Sequence, residues 1–417
     1  RTTPIYQQGL LELRGPGGVL LGFPVVTFSE TLTPGVRDPE TVLAALRFTD
    51  VTQTVGMPGP GAGGGRSLAV ADYDGDGDRD VFSGGALWRN DPTGFVDVST
   101  QAGVTGSAPD HALFGDYDND GALDLFLSRG ATGVLFRNLG DGTFEDVSAQ
   151  LEVSLAGGAP LFIDFDQDGD LDLVVAGILS TGMYRNNLDG TFTDVRGRAG
   201  TEAATGGVQG AAAFGDFDDD DDLELIFSGA STTSLFDNQR SGVFVEVSDV
   251  RGLTPGSAGV VRVGDYNNDG FLDLLVLRGG WLKFGYPNSL LRNNGDGTFT
   301  DRQDVGILND TMAWGVNLFD HDNDGDEDLY VVNGGMIWPK QYSEDNVFYL
   351  NNDDGTFTEV AKQMGIADGG DGRASACADF NNDGYQDLYV GSQGRFGDGL
   401  DFRSIDQQEG LKEAIVD

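Results

Sequence analysis

Carboxylates set at a fixed spacing are the residues of this chain that could do chemistry. The pattern Asp-x-Asp/Asn-x-Asp-Gly-x-x-Asp occurs seven times, beginning at Asp72, Asp116, Asp164, Asp216, Asp265, Asp320 and Asp379. Ca²⁺ takes six to eight hard oxygen ligands, and such a loop offers side-chain oxygens at positions one, three, five and nine and a backbone carbonyl at seven. Gly at position six permits the sharp turn that aims them inward. The first loop would use Asp72, Asp74, Asp76 and Asp80 with the carbonyl of Asp78. The second would use Asp116, Asp118, Asp120 and Asp124 with that of Ala122, and the third Asp164, Asp166, Asp168 and Asp172 with that of Asp170. The sixth follows as Asp320, Asp322, Asp324 and Asp328 with the carbonyl of Asp326.

Three loops vary. The fifth (Asp265, Asn267, Asp269, Asp273, carbonyl of Phe271) and the seventh (Asp379, Asn381, Asp383, Asp387, carbonyl of Tyr385) carry Asn at position three, one charge fewer, and are expected to bind more weakly. The fourth keeps Asp216, Asp218 and Asp220 with the carbonyl of Asp222, but has Asp221 for Gly and Glu224 for the last Asp. A stiffer turn and a longer side chain leave its occupancy in doubt. An EF-hand needs Glu at position twelve, where this chain has Ser83, Leu127, Val175, Phe227, Val276, Val331 and Val390. Mg²⁺ prefers to retain water rather than accept a protein cage. Metal-free turns would crowd like charges seven times over.

The loops give the overall charge an address. There are 68 Asp+Glu against 25 Lys+Arg, a formal net charge of −43. That balance argues against nucleic acid as a partner, since phosphates would be repelled. Yet 39% hydrophobic residues, with 26 Phe, is too much for a disordered acidic chain. A single Cys excludes an intramolecular disulfide or a cysteine zinc site. The longest apolar run, at residues 18–28, is interrupted by Gly22 and Pro24 and is too short to span a bilayer. The chain begins at Arg1 rather than Met, which reads as a trimmed N-terminus and leaves a secreted origin open.

Elements must hold the loops in place, and a second repeat identifies them. An aromatic-x-Asp/Glu-Val motif or close variant begins at Phe48, Phe95, Phe144, Phe192, Phe244, Phe299 and Phe357, alternating strictly with the acidic loops. In the second unit, residues 112–115, 123–127, 134–137 and 143–147 read as four strands by their period-two alternation. Asp-Gly pairs at Asp141-Gly142, Asp189-Gly190, Asp296-Gly297 and Asp354-Gly355 suit hairpins that need positive φ. Four antiparallel strands per repeat predict an all-β fold, a seven-bladed β-propeller. The phase of the repeats adds a closure: residues 47–51 read as a fourth strand with no blade before it, expected to complete the last blade and shut the ring. The expected domains are an N-terminal extension (1–46) of strands and a short helix, the propeller (47–403) and a C-terminal tail (404–417).

These motifs resemble FG-GAP/VCBS repeats. The resemblance is carried by Phe114-Gly115-Asp116-Tyr117-Asp118-Asn119-Asp120-Gly121, Leu135-Phe136-Arg137-Asn138 and Asp141-Gly142-Thr143-Phe144. Such repeats build the integrin α-subunit propeller and many secreted bacterial proteins. The likeness is nearest to the cartilage acidic protein 1-like group and covers residues 47–400; no match to that group's extra C-terminal domain is found. It implies calcium binding and a secreted or cell-surface module for adhesion or recognition of a protein or glycan.

Nothing in the sequence reads as catalytic. His321 lies inside an acidic loop, His111 near a strand start, and Cys377 on a first strand as a small core residue. The expected function is therefore a calcium-stabilised, non-catalytic extracellular recognition module, with two alternatives. One is a lectin-like propeller, binding sugar through the aromatic second-to-third-strand loops that hold Trp281, Phe284 and Tyr286, then Trp338 and Tyr342. Packing of these aromatics onto their own blades is the plainer reading. The other is a self-assembling, filament-like subunit, in which strand-forming residues 10–13 and 19–28 pair with an open edge of their own or a neighbouring chain.

Overall fold

The computed structural model describes residues 13–14, 20–21, 48 and, with short omissions in connecting loops, 50–392. The second repeat shows how the sequence becomes a blade. His111–Gly115, Asp124–Arg129, Thr132–Asn138 and Phe144–Asp146 pair in that order, all antiparallel. Register aligns Phe114 with Leu125, Leu125 with Phe136, and Phe136 with Asp146. The second strand is buried on both faces while the fourth buries Phe144 and leaves Glu145 and Asp146 outside. A middle strand packs against blades on both sides, so both of its faces must be apolar.

Among the described residues there are six such four-stranded sheets. The expectation of seven is corrected here: among the described residues the seventh repeat contributes a two-stranded sheet, Gly372–Ala378 paired with Asp387–Ser392. The residues after 392 lie outside the described ones, and the expected closing strand at 47–51 forms no ladder among the described residues. The seven first strands nonetheless make a closed circuit. Each lies against the next, and Gly372–Ala378 touches both Ala313–Phe319 of blade six and Leu68–Ala71 of blade one.

The hydrophobic core sits between blades. One cluster joins Phe82 and Leu87 of blade one to Phe114, Leu125 and Phe136 of blade two, and the others repeat this around the ring. Fully burying a side chain such as Leu125 or Phe82 contributes about 1.5–3 kcal/mol. Cys377 is buried in the cluster beside blade six, as its sequence context implied.

Of the N-terminal extension, only a short ladder is described, pairing Leu13 with Leu21 and Arg14 with Leu20. Trp281, Phe284, Tyr286, Trp338 and Tyr342, and the tail at 404–417, lie outside the described residues. Among the described residues, no helix is long and apolar enough to cross a membrane.

Candidate metal centres

Each acidic loop joins the first strand of a blade to the second, so all of them emerge at one end of the ring. Backbone N–H groups hold the carboxylates. Asp116 at position one accepts from Asp120 N at 3.0 Å and Gly121 N at 2.9 Å. Asp120 at position five accepts from Ala122 N at 2.9 Å. Asp124 at position nine accepts from Asn138 N at 2.8 Å and Tyr117 N at 3.0 Å. The arrangement recurs in the third loop around Asp164, Asp168 and Asp172, and in the sixth around Asp320, Asp324 and Asp328.

The carboxylates at positions one, three and nine converge. One oxygen from each of Asp72, Asp74 and Asp80 lies within 4.8 Å of the others, and likewise for Asp116, Asp118 and Asp124, for Asp164, Asp166 and Asp172, and for Asp216, Asp218 and Glu224. In the sixth loop the group is His321, Asp322 and Asp328. Position five stands outside these groups, held by the position-seven N–H.

Position three leaves the same oxygen unsatisfied in each of the first four loops. Oδ1 of Asp74, Asp118, Asp166 and Asp218 is buried without a hydrogen-bond partner among the described residues. A buried carboxylate oxygen without a donor costs several kcal/mol unless a cation or a proton meets it. Burial likewise lifts the position-nine acids despite their N–H donors. Asp80, Asp124 and Asp273 are pushed up to about 8, and Asp172 to about 9. The residues therefore fit a hard divalent cation: positions one, three and nine would hold it, with position five and the position-seven carbonyl completing an oxygen shell.

His321 occupies the position-two site that is Tyr or Phe in every other loop. Its Nδ1 meets Asp328 Oδ2, and its ring packs on Phe348 at 5.0 Å and Phe48 at 6.4 Å.

Three linkages between repeats escaped sequence reasoning. The Asn closing each third strand reaches into the preceding blade: Asn138 Nδ2 donates to Tyr73 O at 2.7 Å, Asn186 to Tyr117 O at 2.6 Å, and Asn90 to Phe380 O at 2.7 Å. Asn238, Asn293 and Asn351 do the same. The fourth-strand Phe packs on the same neighbour, as Phe144 on Tyr73 at 5.6 Å and Phe95 on Phe380 at 5.8 Å.

The third linkage runs through position four, where every residue has positive φ. Asn119 Nδ2 donates to Gly169 O at 3.1 Å, Gln167 Nε2 to Asp221 O at 2.6 Å, Asn268 to Gly325 O at 2.9 Å, and Asn323 to Gly384 O at 2.8 Å. Asn382 reaches Asp78 Oδ1 at 2.6 Å, joining the last loop to the first. Gly75 and Asp219, which occupy position four in the first and fourth loops, have no side-chain N–H to donate. The recurrence of Asn at positions 119, 268, 323 and 382 was the available signal.

Four-stranded antiparallel blades set around a closed circuit of first strands define a β-propeller. This chain belongs to the FG-GAP-like repeat family, which matches residues 116–175, 164–227, 216–276, 282–331 and 336–390. No curated protein sequence matches it. Among solved structures, it is similar to an Agrocybe aegerita lectin that recognises non-reducing terminal N-acetylglucosamine, with TM-score 0.50 and 18% identity over 79% of this chain and 86% of that one. It is also similar to BBS1N in complex with ARL6DN, with TM-score 0.46 and 10% identity over 81% and 95%. A Bacillus licheniformis rhamnogalacturonan lyase aligns with TM-score 0.36 and 15% identity over 81% of this chain and 58% of the lyase.

Proposed function

We propose that this chain is a calcium-stabilised extracellular propeller that acts by recognition rather than catalysis. The observation that carries the reading is the buried, unpartnered oxygen at position three, repeated in loops whose other carboxylates are already held by backbone N–H groups. A divalent cation would satisfy these oxygens and relieve the repulsion within each loop. At free calcium near 100 times Kd, each site would add about 2.7 kcal/mol to stability. Thermal unfolding with calcium and with a chelator tests this. A rise in Tm of many degrees with calcium is expected, and coincident transitions would refute a structural calcium role.

We also infer that the segment at 47–51 supplies the outer strand of the seventh unit. Phe48 packs on Phe319 at 6.5 Å and on the position-two residue of the sixth loop, the contact that every other fourth-strand Phe makes with the blade before it. The turn that follows supports the same phase. Thr52 N donates to Asp50 Oδ1 as Ser99 N does to Asp97 Oδ1, and Gly56 takes the left-handed φ of Gly103.

A second reading, glycan recognition, draws on the similarity to the Agrocybe lectin, which is one of fold. Trp281 and Trp338, in the aromatic stretches singled out in the sequence, would be its natural contacts. Binding to a sugar array that disappears in Trp281→Ala would establish it, whereas binding indifferent to that substitution would remove it. Self-assembly by strand addition would show as concentration-dependent growth in light scattering.

A further inference from the structure

The seven loops are not equivalent, and the fourth contains a cation of its own. Arg251, on the short helix Ser248–Arg251 that follows blade four, places Nη2 at 2.5 Å from Asp218 Oδ2 and 2.9 Å from Asp237 Oδ1. Asp218 is the position-three residue; its Oδ1 lacks a donor as in the first three loops, but its Oδ2 is taken by Arg251. The guanidinium is four-fifths covered and donates through Nη1 to Asp296 O of blade five at 3.1 Å. A second arginine flanks the loop, with Arg240 Nη2 donating to Asp220 O at 3.0 Å and Nε at 3.8 Å from Asp222 Oδ2.

The neighbouring blade is shaped to admit Arg251. A Cβ added to Gly297 would stand 1.8 Å from Arg251 Nη1 and 2.8 Å from Asp218 Cβ; of the equivalent glycines, Gly142 and Gly355 face open space and Gly242 meets Phe165, with no arginine. The same junction lacks the amide rung found between most loops, because Asp219 at position four has no N–H to donate. Arg251 spans that junction instead, tying the fourth loop to the blade-five hairpin.

We propose that the fourth loop stays metal-free, with Arg251 neutralising Asp218 in place of a divalent ion. The guanidinium occupies one oxygen of the position-three ligand and sets a fixed positive charge beside the site, so an entering dication would meet repulsion where the other loops offer attraction. Glu224 still brings its oxygen to those of Asp216 and Asp218, so Arg251 is what separates this loop from its neighbours.

This inference rests on the calcium reading for the other loops, and a metal count separates the two. Calcium retained by the full-length protein after gel filtration would be measured by atomic emission. The wild type is expected to hold six ions, Arg251→Gln seven, and Asp218→Ala still six, while Asp118→Ala falls to five. Because Asp218→Ala removes no strand or core contact, it remains informative if Arg251→Gln folds poorly. Seven ions in the wild type, six in folded Arg251→Gln, or five in Asp218→Ala would overturn the proposal while leaving the calcium reading intact. No bound calcium at all would end both.

Discussion

At the residue scale, the side chains that matter most between loops are amides rather than carboxylates. Asn138 is fully buried, and its Nδ2 joins Tyr73 O of the preceding blade to Leu123 O of its own. Replacing it with Ala strands two buried carbonyls, each costing about 1–3 kcal/mol. Asn119, by contrast, makes its bond to Gly169 O in the open, where water replaces a lost donor. Urea unfolding should therefore show Asn138→Ala losing several kcal/mol and Asn119→Ala losing under about 1 kcal/mol. Equal losses would mean that burial does not set the worth of these bonds.

At the element scale, an acidic loop is a turn whose backbone already points N–H groups at its own carboxylates. That provision is incomplete, and pH exposes the shortfall. With position-nine acids such as Asp80, Asp124 and Asp273 pushed up to about 8 by burial, the metal-free fold holds protons that the unfolded chain releases near pH 4. Between those values the folded state binds more protons than the unfolded one, so stability must fall as pH rises through the window. Metal-stripped protein is expected to melt at a higher temperature at pH 5.5 than at pH 8.5. With calcium present the order reverses, because protons then compete with the ion. Calorimetry of the stripped and loaded protein at both pH values checks the sign.

At the scale of the molecule, stability depends on each unit leaning on the one before it. Phe95 of blade one rests on Phe380 of the seventh unit, and Asn382 joins the seventh loop to the first, so the described circuit already passes through the two-stranded sheet. Phe48 lies on the far side of that sheet, against blade six. Removing its ring in Phe48→Ala uncovers apolar surface at the closing junction and is expected to cost about 2 kcal/mol. Hydrogen exchange should rise chiefly in Asp387–Ser392 and blade six; a uniform rise around the ring would argue against a local closure role.

Much of this was legible along the chain. Period-two alternation on either side of each acidic loop, with an aromatic motif in counterpoint, determined the four-stranded unit, the antiparallel order and the carboxylates that converge. In the second unit, each expected strand falls within a residue or two of the observed His111–Gly115, Asp124–Arg129, Thr132–Asn138 and Phe144–Asp146. The hairpins read as Asp-Gly turns proved longer: Leu139 N donates to Thr143 O, with both Gly140 and Gly142 at positive φ.

Local pattern reports what a segment does with its own backbone and which face it buries. Tertiary structure alone decided that the seventh repeat pairs two strands among the described residues, that Asn138 belongs to blade one as much as to blade two, and that Arg251 sits on Asp218. The Arg251 and Asn138 contacts join residues 33 and 65 positions apart. Such pairs meet only after the blades pack around a common axis, and no periodicity within one repeat encodes which neighbour will arrive.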